Sequence, residues 1–225
     1  MGSESVRLAA RILADMRQGE PTTPAMRAIR RRASKQIAGL DRDTVLELAH
    51  ELIRRASFAR FVAYELVQHH AAAMQSITVA EVEALGSGIQ SWSDVDTFAP
   101  SIAGPAWRSG RIPDAAIRRW AKSEDRWWRR AALVSTVPLN AAAGGDPRRT
   151  FAICNILLND RDDMVVKAMS WALRALAKRA PEEVTQYLAA NREHLAPRVI
   201  REVSNKLTTG LKNPRKQVTT PVART

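Results

Sequence analysis

Three stretches of the chain place aromatic and charged side chains where a helix would bring them together. Trp92 and Asp96 stand four apart, so on a helix they share a face with Cβ atoms about 5–6 Å apart. Trp127 and Arg130 share a face at i,i+3, and Lys167, Trp171 and Arg174 form a stripe at i, i+4 and i+7. Aromatic planes interleaved with guanidinium groups around a lone carboxylate suit a nucleic-acid cleft, where bases stack on rings and phosphates meet cations. Each stretch also has a purely structural reading. Tryptophans at helical spacing commonly fill helix–helix contacts, and Arg130 and Arg174 can simply lie over aromatic faces. Asp96, read in the first turn of its helix after Ser91 and Ser93, would be favoured there by the helix dipole whatever its use.

Other chemistry finds little support. The sequence has no Walker-type phosphate loop, no G-x-G-x-x-G and no G-x-S-x-G. His69 and His70 are adjacent, so on a helix they point about 100° apart and make a poor metal pair. Cys154, the one cysteine, sits among apolar residues and reads as packing; a disulfide framework and a multi-cysteine metal site are excluded. No metal and no cofactor are expected.

Charge narrows the partner. The chain of 225 residues carries a formal net charge of +12. Residues 61–100 hold no Lys or Arg, and their five acids include Asp94 and Asp96. Basic segments lie on both sides, and such a frame suits a polyanion, because Lys and Arg neutralise phosphates and release condensed counterions. The bland alternative is a solvated, Arg-rich surface. No apolar run is long enough to span a membrane, and the N-terminus does not resemble a secretory signal. The expectation is a cytoplasmic monomer.

The elements that must position these residues read as helical nearly throughout. Val45, Leu46, Leu48, Ala49, Leu52 and Ile53 recur at helix spacing after Asp41. Thr23 before Pro24 reads as an N-cap, Thr78 with Glu81 as a capping box, and Asp146 with Pro147 as another helix start. Further helices follow over roughly 163–179, 181–191 and 197–207. The result is an all-α chain of about eleven helices with short connections, the texture of stacked helical pairs. No exact sequence repeat is visible, so an irregular bundle is the alternative. One domain is expected over residues 1–211, with a basic flexible tail over 212–225.

At the same residues the sequence resembles the AlkD-type DNA alkylation repair family, HEAT-like helical-repeat DNA glycosylases. Three blocks carry the likeness: Ser91-Trp92-Ser93-Asp94-Val95-Asp96 running into Pro100 and Gly104, Trp120 through Ala132, and Val166 through Arg174. A weaker fourth joins Leu195-Ala196-Pro197 to Arg201-Glu202. The resemblance implies a solenoid with a concave basic face and alkylated duplex DNA as partner. It puts Asp96 on the family's catalytic aspartate, Trp92 and Trp171 on the two cleft tryptophans, and Arg130 on a DNA-contacting arginine. Arg129, Arg174, Lys167, Trp127 and the basic residues near 118–122 are expected on the same DNA face. The implied reaction is monofunctional glycosylase hydrolysis of N3- or N7-alkylated purines. Related helical-repeat proteins bind DNA without that activity, so a non-catalytic binder of damaged or branched DNA is the alternative.

Overall fold

Capping chemistry starts most helices within a residue of where the sequence puts them. The computed structural model of the chain describes residues 3–141 and 145–214. Its α-helices are α1 (Glu4–Gln18), α2 (Thr23–Ile37), α3 (Arg42–Arg55), α4 (Arg60–Gln68), α5 (Ala71–Ser76), α6 (Val79–Gly86) and α7 (Trp92–Phe98). After α7 come α8 (Gly104–Arg108), α9 (Asp114–Ala121), α10 (Arg126–Val134), α11 (Pro147–Ile156), α12 (Asp163–Leu176), α13 (Pro181–Ala190) and α14 (Pro197–Thr209). No strand occurs among the described residues. The capping box of Thr78 and Glu81 is present, and Asp146 caps α11. The cap of α2 is Thr22 rather than Thr23, which places Pro24 at the second helical position.

The count exceeds eleven because the middle of the chain is cut into short pieces. The His70 ring accepts the Ala73 N–H at 3.2 Å and starts α5, while its other nitrogen meets the Leu40 carbonyl oxygen at 3.2 Å. The His69 Nδ1 meets the Glu65 carbonyl oxygen at 2.8 Å. Both histidines therefore serve the backbone, and no group of three metal-ligating side chains exists among the described residues. Cys154 is buried as packing, and burial pushes its thiol pKa up to about 12.

Packing sorts the helices into two layers. In one, α2, α4, α7, α10, α12 and α14 each lie against the next in that order. In the other, α1 packs on α3, α3 on α5, and α9 on α11. Helices adjacent in the chain bridge the layers, as α1 does with α2, α3 with α4, α9 with α10 and α11 with α12. This is the arrangement of a helical-repeat solenoid, in which each unit buries its apolar face only by stacking on its neighbours. The repeat is invisible in residue identity but plain in register, since Asp96 meets Arg130 and Arg130 meets Met164 across 34 residues each time.

Two features fix the roll of α7. Phe98 is fully buried with its ring centroid 5.5 Å from Tyr64, 6.4 Å from Trp120 and 6.0 Å from Trp128. Asp96 precedes Phe98 by two residues, about 200° around the helix, so anchoring Phe98 inward turns Asp96 away from the core. The chain then continues through a π-helical turn, Ala99–Ala103, directly into α8. At that junction a Cβ on Gly104 would stand 2.7 Å from Pro138 Cγ and 2.8 Å from the Ser135 carbonyl oxygen. Only glycine lets the start of α8 approach the chain leaving α10 this closely.

The basic tail expected from Lys212 lies outside the described residues from 215 onward; Lys212 itself reaches Glu202 at 3.5 Å. Gly104→Ala should lower stability by about 1–3 kcal/mol through overpacking. Thermal unfolding of the folded variant checks this, with an unchanged midpoint contradicting the close approach.

Candidate nucleic-acid site

The N-terminus of α7 carries the first two site residues. The Ser91 hydroxyl caps it by accepting the Asp94 N–H at 3.2 Å. Trp92 opens the helix with 57% of its surface exposed, although it is the largest kind of apolar side chain. An exposed tryptophan is informative where a buried one is not. Asp96 follows one turn later. It lies in the second turn of α7, not the first turn expected from the sequence, so the helix N-terminus does not account for it.

A different group holds Asp96. The Arg130 guanidinium donates from Nε to Oδ1 at 3.0 Å, and from Nη2 to Oδ1 at 2.7 Å and Oδ2 at 2.8 Å. Its remaining terminal nitrogen donates to the Met164 carbonyl oxygen at 2.6 Å. Arg130 thereby joins α7, α10 and α12 at one point. Its side chain is 6% exposed against 22% for Asp96, so the carboxylate, not the guanidinium, faces outward. Arg130, expected on DNA phosphates, has all three guanidinium nitrogens occupied inside the chain instead. Burial pushes the Asp96 pKa above the ordinary carboxylate value, and the charge and hydrogen bonds of Arg130 oppose that shift.

The other expected residues divide into those already partnered and those left open. Arg129 donates to Asp160 at 2.7 Å and to the Ser123 and Glu124 carbonyl oxygens, so it closes the turn before α10. Lys167 pairs with Asp163 at 2.6 Å, which also takes Arg198 at 2.8 Å. That lysine's hydrogen bond holds the Asp163 carboxyl below the usual range. Trp127 is partly buried, with the Arg126 guanidinium 4.8 Å from its ring centre; the sequence reading missed Arg126, although adjacent Arg and Trp at a helix start carry that signal. Trp171 and Arg174, one turn apart on α12, are half-buried.

The remaining three tryptophans follow the structural reading: Trp107 and Trp120 are core, and Trp128 is partly buried against it. Arg118, Arg119 and Lys122, expected on the same face as Asp96, belong to α9 and its end, in the other layer. With Glu83, Trp120 and Trp128 they surround a separate cavity of about 740 Å³. The misplacement has a simple cause. Charge content does not reveal which layer a helix joins; the pairing of helices does.

Fold and site together define a two-layer helical-repeat protein with a fixed carboxylate and an exposed tryptophan on one layer, flanked by cations. A family model for the DNA alkylation repair enzymes matches residues 21–207. The chain belongs to that family, and its role is in DNA repair with DNA as its partner. No curated protein matches it. No helix among the described residues is long and apolar enough to cross a membrane.

The Asp96 shift has a defined sign. Its folded-state pKa lies above the unfolded value, so the folded state holds this proton more tightly. Its contribution to stability therefore falls as pH rises through the window between the two. Asp163, whose pKa is lowered, behaves oppositely and loses its contribution as pH falls. A carboxyl carbon NMR titration should find Asp96 above 3.8, and Arg130→Gln, which removes the opposing charge, should raise it further. A value at or below 3.8 in the unmodified protein would contradict the burial argument.

Proposed function

We propose that the chain is a monofunctional DNA glycosylase that hydrolyses the bond between C1′ and an N3- or N7-alkylated purine in duplex DNA, the excision step of base excision repair. The observation that carries this reading is Asp96: a carboxylate held by three hydrogen bonds from Arg130, one turn from exposed Trp92, in a chain of the alkylation repair family.

The chemistry suits these groups. An alkylated purine is already cationic, so it departs with the bonding electron pair, becomes neutral and needs no general acid. The sugar is left with positive charge at C1′ and its ring oxygen. A water then adds its oxygen to C1′ and releases a proton. Asp96 stabilises the charge on the sugar and orients the water. The π-faces of Trp92 and Trp171 attract the cationic base and the developing sugar cation. Arg130 acts through Asp96 as a positioning residue, presenting one carboxylate edge in fixed geometry. A lyase step would need an amine nucleophile, and Lys167, the nearest by sequence, is paired with Asp163.

Asp96→Asn keeps the shape and removes the charge. Release of methylated purine from duplex DNA should fall by roughly 10²-fold or more, while thermal unfolding shows the variant folded. Full activity in a folded Asp96→Asn protein would end the assignment. Duplex binding without any excision by the unmodified protein would favour the non-catalytic reading.

A further inference from the structure

Beyond Trp171, residues of α12 and the turn after it, Lys206 of α14 and the chain at 137–141 surround a second cavity of about 390 Å³. Trp171, Arg174, Lys178, Arg179, Lys206 and Lys212 line it, with no carboxylate in its wall. The nearest acid by contact, Glu202, is buried, accepts the Ser170 hydroxyl at 2.6 Å and pairs with Lys212 at 3.5 Å. Ser170 in turn accepts Arg174 Nε at 3.2 Å, so a buried relay sets the direction of that guanidinium.

The cations differ in how far the chain itself satisfies them. Arg179 donates to the Asn140 and Ala141 carbonyl oxygens, and Lys206 donates to the Gly210 carbonyl oxygen at the end of α14. Those contacts are helix-end and loop chemistry, and they leave the positive charge in place. Arg174 has no acceptor for its two terminal nitrogens among the described residues, and Lys178 has none at all. Lys212 is paired with Glu202, but Arg174, Lys178, Arg179 and Lys206 have no carboxylate within ion-pair distance among the described residues; these four like charges around one concavity repel one another, and an anion seated among them removes that cost. The free edge of a guanidinium beside an ammonium group matches the oxygens of a phosphate.

We propose that this cavity is a backbone clamp, seating a phosphodiester of the DNA strand that passes Trp171, with Arg174, Lys178 and Lys206 as its donors. Trp171 forms both the wall of the clamp and one side of the base site. The clamp therefore sets the register of the strand against Asp96. It rests on the reading of DNA as the partner and of Trp171 as part of its face.

The test uses the full chain and undamaged fluorescent duplex, with affinity followed by anisotropy across a range of salt. Lys178→Ala should make the logarithmic salt slope shallower by about one unit, and Lys178→Ala with Lys206→Ala by about two. Removing the same charge from exposed Arg11 and Arg17 on α1, in the other layer, should leave the slope unchanged. A wild-type slope in the double variant, or an equal loss in the α1 control, overturns the clamp. Binding to undamaged DNA is independent of excision, so the two readings fail separately. A shallower slope without any excision by the unmodified protein keeps the clamp and removes the glycosylase. Intact excision with an unchanged slope removes the clamp alone.

Discussion

A single guanidinium joins three consecutive helices of one layer at the carboxylate of Asp96. Arg130 is almost fully buried, and every donor group it directs at the chain is used: one edge on Asp96 of α7, one nitrogen on the Met164 carbonyl of α12. A buried charge of this kind is costly to leave unpaired, by about 3–5 kcal/mol when a partner is removed. The pair is therefore a constraint on the fold as well as a feature of the site. It requires α7, α10 and α12 to keep their spacing and axial register, and through α7 it sets where Trp92 stands.

The same constraint explains how a half-buried carboxylate can serve a protein whose partner is a polyanion. An unpaired aspartate would repel phosphates, and burial unopposed by Arg130 would raise its pKa further. Paired with Arg130, it remains a charge-bearing edge that is fixed in direction. Residues 61–100 contain no Lys or Arg, so the cation that meets Asp96 comes from the next helix of the layer, as Arg130 of α10. In the proposed reaction, that carboxylate edge meets the cationic purine and the sugar cation formed on its departure.

Helix character was legible because capping residues and apolar periodicity are local. The capping box at Thr78 and the start at Asp146 are read correctly from three or four residues. The pairing of Trp92 with Asp96 on one face was legible for the same reason. What was not legible is whatever depends on which helix lies beside which. Arg130 reads as a surface cation by composition, and only the 34-residue offset to Asp96 reveals it as an internal partner. Arg118, Arg119 and Lys122 look like members of the same basic face, yet α9 stacks in the other layer. Lys206 meets the neighbourhood of Arg174 across 32 residues and a helix pair, and no short-range pattern marks it. The extra helices also escaped, because His70 caps α5 through its ring, a role that residue type alone does not announce.

The dependence of Asp96 on Arg130 is tested most directly by a double-mutant cycle on both residues, read out by single-turnover release of methylated purine from duplex DNA, with Asp96→Ala, Arg130→Ala and the double variant all verified as folded at the assay temperature. If Arg130 works only by holding Asp96, each single change causes a large loss and the double variant is no slower than Asp96→Ala alone, a coupling of roughly 10-fold or more. Losses that multiply, with the double variant slower than either single by the product of the two, would show that Arg130 acts on the DNA independently and would contradict the account.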